Sequence, residues 1–114
     1  MKIKKNNQIV ILNSSDLSNC TEAIDILNSI GKLINVSANY EDVYSNIEGC
    51  HAYLCGLGSK IDKKLINKAT SLKILATPST GTDHIDLESL KKANIEYYSI
   101  KNETYHNKAH IMYI

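Results

Sequence analysis

One feature limits what this chain can fold into more than any other: an alternation. Short β-branched apolar runs recur along it, and a stretch of helical period, set off by turn residues, fills each interval. Gln8–Leu12 (QIVIL), Lys32–Ala38 (KLINVSA), His51–Cys55 (HAYLC), Leu72–Pro78 (LKILATP) and Ile95–Ile100 (IEYYSI) read as strands. Short apolar runs bounded by turn signals suit strands buried on both faces. Helices are predicted at Leu17–Ile30, Tyr40–Cys50, Ile61–Ser71 and Ile85–Asn94. In the first, Leu17, Ala23, Ile24, Leu27 and Ile30 fall near helical spacing, and Gly31 marks the stop. Val43, Ile47 and Cys50 share one side of the second; Ile61, Leu65, Ile66 and Ala69 face inward from the third.

Five strands with a helix in every interval predict an α/β fold, a doubly wound parallel sheet in three layers with helices on both faces. For 114 residues, the flavodoxin-like arrangement is the natural choice. Residues 1–103 are expected to form that domain, and residues 104–114 to begin a crossover helix or trail as a tail.

Composition removes several classes of function. A net charge of +1 gives no electrostatic reason to expect nucleic acid or an anionic membrane as partner. No apolar run approaches the ~20 residues of a membrane span, and the opening MKIKKNNQIVIL is too short and unpunctuated for a secretory leader. The cytoplasm is the expected compartment. Cys20, Cys50 and Cys55 are an odd number, so reduced thiols are expected. Cys50 and Cys55 bracket a predicted buried strand, where cysteine acts as a small apolar residue. All thirteen basic residues are lysine, and arginine is absent.

Open α/β sheets bind ligands beyond the carboxyl ends of their strands. That edge carries Asn13–Asp16, Gly56–Lys60, Thr77–Asp83 and the turn after Ile100. Gly56-Leu57-Gly58 begins like a dinucleotide fingerprint, but it puts Ile61 where a third small residue is needed, and it follows the third strand rather than the first. A site for one small anion suits the residues better. Backbone N–H groups of Leu57, Gly58 and Ser59 at a helix start form a cradle for a carboxylate or phosphate, Ser59 can cap the helix, and Lys60 adds a positive charge. In the second loop Pro78 ends the strand, Gly81 permits a positive-φ turn, and Asp83 or Asp86 can cap the next helix. His84 reads as a surface or supporting residue rather than a base.

The stretch LKILATPSTGTDHIDLESLKKANIEYYSI resembles the N-terminal, substrate-binding segment of the D-isomer-specific 2-hydroxyacid dehydrogenases. Gly81, Asp83, Ile85 and Asp86 match that family's G-x-D-x-I-D turn. LCGLGSKIDKKLI is similar to the preceding loop, whose amides touch the substrate carboxylate, with Lys60-Ile61-Asp62 in register. The resemblance covers essentially residues 8–103. It implies that Leu57, Gly58, Ser59, Lys60, Ser79, Thr80 and Gly81 contact a small 2-hydroxy or 2-oxo acid, while Asp83 and Asp86 hold the turn.

Three departures accompany the resemblance. Family members often carry arginine and serine where Gly56 and Leu57 stand here, so a phosphorylated acid would find only Lys60. The family's NAD-binding domain, with its catalytic arginine, histidine and orienting carboxylate, follows this segment, and no arginine occurs in these residues. Thr104–Ile114 could supply the first turns of the helix that crosses to that domain, with Ala109 and Met112 as apolar positions. No cofactor is expected on this chain itself, NAD being implied for the full-length family. Alone, the chain is expected to be catalytically silent. The competing reading is a non-enzymatic anion-binding or interaction module that pairs as a homodimer through the surface otherwise buried against the NAD domain. A receiver or flavin carrier is disfavoured, because LNSSD lacks an acidic cluster and the loops lack an aromatic flank. His106 and His110 lack further metal ligands nearby. Tyr97 and Tyr98 should point to opposite faces of their strand.

Overall fold

A computed structural model describes residues 8–17, 20–56, 59–77 and 84–99. Strands β1 (Ile9–Asn13), β2 (Gly31–Asn35), β3 (Ala52–Leu54), β4 (Ile74–Thr77) and β5 (Glu96–Ser99) form one sheet in the order β2-β1-β3-β4-β5. Every pairing is parallel. This is the flavodoxin-like order, and its switch point lies between β1 and β3. Among the described residues, four helices fill the intervals: α1 (Thr21–Ile30), α2 (Tyr40–Asn46), α3 (Lys63–Lys68) and α4 (Leu87–Lys92).

The sheet has two unlike faces. On one, Leu12, Tyr53 and Leu75 align across adjacent strands and pack with Val43 and Ile47 from the α2 segment, Leu65 and Ile66 from α3, and Leu90 from α4. Apolar burial on this scale is the main source of stability. Helix α1 contributes nothing to that cluster. A right-handed β1–α1–β2 crossover puts α1 on the opposite face, since β2 and β3 flank β1 on opposite sides. That face remains partly open: Ile9 is 45% and Ile74 39% exposed, and Ile26 and Ile30 of α1 are exposed as well.

Several predicted boundaries shift. Helix α1 begins at Thr21 rather than Leu17, and β2 starts at Gly31 with extended backbone instead of a left-handed helix stop. A side chain on Gly31 would press on the Ile9 carbonyl of the neighbouring strand. Helix α2 starts behind Asn39, whose side chain accepts from the Glu41 amide at 2.8 Å. Ile61 is not helical. It is 2% exposed and forms an isolated parallel bridge with Ile85. Ser59 does not cap α3: Asp62 does, accepting from the Leu65 amide at 3.0 Å. Tyr97 packs on the core cluster, whereas Tyr98 faces the other way and donates to Glu96. Cys50 and Cys55 are buried free thiols and Cys20 an exposed one.

The Asp caps define a testable acid response. Burial pulls the Asp62 carboxyl up, but the Tyr40 hydroxyl, the Leu65 amide and Lys60 outweigh it, so it lies below the usual 3.8. The Ser89 amide and hydroxyl hold Asp86 below that value too. A lowered folded pKa stabilises above the unfolded value, and the gain is lost as pH falls through the folded one. Asp62→Ala should therefore cost about 1 kcal/mol at pH 7 and less below pH ~3. Urea melts at the two pH values check this; an equal loss at both would contradict it.

Candidate functional site

The carboxyl ends of the strands meet in a polar row. Thr77 pairs with Ser99, and the Ser14 and Cys55 amides continue the ladder onto the Leu54 and Ala76 carbonyls, two residues beyond the apolar row of Leu12, Tyr53, Leu75 and Tyr97. Thr77 and Ser99 are buried. Burial pushes the Cys55 thiol up, although the Thr77 hydroxyl beside it pulls the other way. A thiol so held stays neutral and serves packing.

At the switch point the loops after β1 and β3 are tied together. Asn13, 3% exposed, donates to the Ser15 carbonyl at 3.0 Å and to Asn35 Oδ1 at 2.9 Å, while its own Oδ1 accepts from the Ser15 amide at 3.0 Å. The Ser14 amide donates to the Leu54 carbonyl at 2.9 Å. Ser14 Oγ accepts from the Gly56 amide at 3.0 Å and shares a 2.8 Å hydrogen bond with Tyr53 Oη. Gly56 is required by this approach: a Cβ there would stand 2.7 Å from the Ser14 carbonyl oxygen and 3.4 Å from Ala38 Cβ. The position has no room for the arginine that the resemblance associates with it.

Tyr53 is fully buried. Burial pushes its phenol up to about 12, the neighbouring Cys55 adds to the rise, and Ser14 and Ser59 oppose it. Ser59 lies close enough to influence that phenol, yet its buried Oγ makes no hydrogen bond of acceptable geometry. Such an orphan costs about 1–3 kcal/mol unless something satisfies it. His84 Nε2 and Tyr97 Oη are likewise buried without a hydrogen-bond partner.

The two working loops are stitched to each other by the Ile61–Ile85 bridge. The Ile61 amide donates to the His84 carbonyl at 2.8 Å, and the Asp86 amide donates to the Ile61 carbonyl at 2.8 Å. Behind the bridge, Asp62 and Asp86 cap α3 and α4 in the same way, each accepting from the amide three residues on. Tyr40 Oη donates to Asp62 Oδ1 at 2.7 Å and anchors the first cap to α2. Lys60 is largely exposed and pairs with Asp62 at 3.9 Å, a surface contact that contributes little.

The structure thus brings together Ser59, Lys60 and Asp86 of the predicted site. Leu57, Gly58, Ser79, Thr80, Gly81 and Asp83 lie outside the described residues, as do His106 and His110. Sequence reasoning missed Ser14 and Tyr53. A tyrosine in a buried strand needs a partner for its hydroxyl, and Ser14, first past the adjacent strand, was the available one. It also missed the bridge, although the Ile-Asp pair occurs in both loops. Among the described residues no cluster could hold a metal, and no helix is long and apolar enough to cross a membrane.

These features define a class first: a flavodoxin-like domain with its ligand edge at the β1/β3 switch point. The model of the D-isomer specific 2-hydroxyacid dehydrogenase catalytic domain matches residues 9–107, and the chain belongs to that family. A glyoxylate reductase/hydroxypyruvate reductase of Mus musculus is 38% identical over 56 residues, which are 48% of this chain and 17% of that protein. The glyoxylate reductase structure from Paecilomyes thermophila aligns with a TM-score of 0.71 at 20% identity, over 82% of this chain and 32% of that one. A D-lactate dehydrogenase from Aquifex aeolicus, solved with NAD and lactic acid, gives 0.68 at 22% identity over 90% and 32% of the two chains. The chain therefore spans only a minor part of the length of each.

The residues present do not fit a dinucleotide. Gly56, where the backbone of a fingerprint would open toward a pyrophosphate, is pressed against the Ser14 carbonyl. Ile61, at the third small position, is buried in the bridge.

Proposed function

We propose that this chain is the substrate-binding part of an NAD-dependent D-2-hydroxyacid dehydrogenase, and that it holds the carboxylate of a small 2-hydroxy or 2-oxo acid. The amides of Leu57, Gly58 and Ser59 are the donors, with Lys60 adding a long-range positive charge and Ser79, Thr80 and Gly81 forming the facing wall. One observation carries this reading: the Ile61–Ile85 bridge, which joins the described ends of the two loops side by side. Directly behind the bridge, Asp86 caps α4.

Hydride transfer needs a bound nicotinamide, a cation that polarises the carbonyl and a proton donor. NAD belongs to the nucleotide-binding domain of the full-length family; within these residues no arginine is available. The purified chain is therefore expected to give no oxidation of NADH dependent on a 2-oxo acid above the buffer rate. Spectrophotometry at millimolar glyoxylate and pyruvate tests it, and measurable turnover would overturn the division of labour.

A second reading is favoured by the open sheet face. Parallel sheets are ordinarily covered on both sides, and the exposure of Ile9 and Ile74 suits an interaction module that pairs with a nucleotide-binding domain or a second copy. A concentration-independent monomeric mass would count against the homodimer.

A further inference from the structure

We propose that Lys64 and Lys68 of α3, gathered on the Tyr44 ring of α2, form a site for a doubly charged oxyanion: inorganic phosphate or the phosphoryl group of a small organic phosphate. The Lys64 ammonium stands 5.2 Å from the ring centroid and the Lys68 ammonium 4.4 Å. Each contact alone is a favourable cation–π attraction. Together they set two positive charges around one neutral ring. Among the described residues neither ammonium pairs with a carboxylate, whereas Lys60 pairs with Asp62 and Lys92 with Glu88. Glu41 and Glu48, about one turn to either side of Tyr44, are exposed and form no ion pair with either lysine.

Local preference opposes this arrangement. Lysines four apart on a helix repel each other. Lys64 also lies in the first turn of α3, where the helix dipole favours acids and none stands. A cluster that runs against local preference twice is where function is expected. The platform beneath it is fixed. Tyr44 stacks on Tyr40 with centroids 6.1 Å apart and 20° between the planes, and Tyr40 Oη is tied to the α3 cap residue Asp62 at 2.7 Å. Tyr44 and Lys68 are half-buried, so the protein shields one side of the charges from water.

That chemistry sets the ligand class. Lysine holds phosphate as a point charge, and a dianion is attracted twice as strongly as a monoanion at the same distance. Ammonium groups offer no planar fork to align a carboxylate. The site is built from α2 and α3 alone and is independent of the loops proposed to hold the 2-hydroxy acid.

Amide NMR of the full 114-residue chain tests this at mildly alkaline pH, where phosphate is a dianion, with sodium chloride holding the ionic strength constant. Inorganic phosphate should shift Tyr44, Lys64 and Lys68 saturably, with a Kd of ~1 mM. The Lys64→Gln, Lys68→Gln double variant should raise that Kd at least about tenfold. Tyr44→Leu, which removes the shared ring, should raise it about threefold, and Tyr44→Phe should restore it. Glycerol 3-phosphate is the second arm: tighter binding than phosphate identifies an organic phosphate as the ligand, and binding no tighter identifies the free anion. Oxamate, an unreactive 2-oxo acid isostere, should leave these three amides unmoved. Wild-type affinity in the double variant or in Tyr44→Leu overturns the proposal, as do equal shifts from oxamate or shifts that sodium chloride alone reproduces.

Discussion

A Gly56→Ala chain should unfold about 1–3 kcal/mol more easily than wild type and bind a small acid at least about tenfold more weakly. The added Cβ would meet the Ser14 carbonyl oxygen at 2.7 Å, and that oxygen is backbone. It cannot swing aside as a side chain can. Ser14 is itself held by its amide bond to the Leu54 carbonyl, so the β3 loop must retreat and lose the Gly56–Ser14 hydrogen bond. Stability and binding should fall together. Gly49 provides the control: its φ is +89°, but nothing lies within 4 Å of a Cβ there. Gly49→Ala should cost about 1 kcal/mol through left-handed strain and leave binding alone. Urea unfolding and oxamate titration of both variants make the comparison. A Gly56→Ala chain that binds normally would contradict a role for the Gly56–Ser14 contact in shaping the site.

Raising the pH from 10 to 12 should remove about 2 kcal/mol of stability through Tyr53 alone. Its phenol is pushed from 10.0 to about 12 in the folded chain, burial being the main cause. A raised pKa stabilises fully below the unfolded value, and the contribution disappears as pH climbs through the folded one. Tyr40 titrates in the same window, raised to about 12 by burial and by its bond to Asp62. Tyr53→Phe removes one ionisable group, so its stability should decline more shallowly above pH 10. At neutral pH the substitution leaves Ser14 with the Gly56 amide as its remaining partner. Chemical denaturation across pH 8–12 reads both effects. Parallel curves for wild type and Tyr53→Phe would mean that the phenol is not sealed from water.

The sheet was legible because its strands are short runs of Ile, Val and Leu between turn residues, and because four intervals repeat one pattern. Edges were less legible where two local solutions compete. Ser59 and Asp62 both precede a helical run and both can cap; the chain uses Asp62, since Ile61 is needed in extended form to pair with Ile85. Gly31 suits a helix stop, yet close contact with Ile9 makes it the first residue of β2 instead. The relay of Ser14, Tyr53 and Gly56 depends on register between strands far apart in the chain, and no local spacing encodes that. Likewise, residue periodicity assigned helices to both faces without showing that α1 leaves Ile9 and Ile74 exposed.

Amide chemical-shift mapping of the intact chain during oxamate addition tests most directly whether these loops hold a small acid. Saturable shifts should cluster at Gly56, Ser59, Lys60, Ile61 and His84–Asp86, fading along α1 and the amino ends of the strands. Shifts confined to the open face around Ile9 and Ile74, or absent at every concentration, would contradict the account.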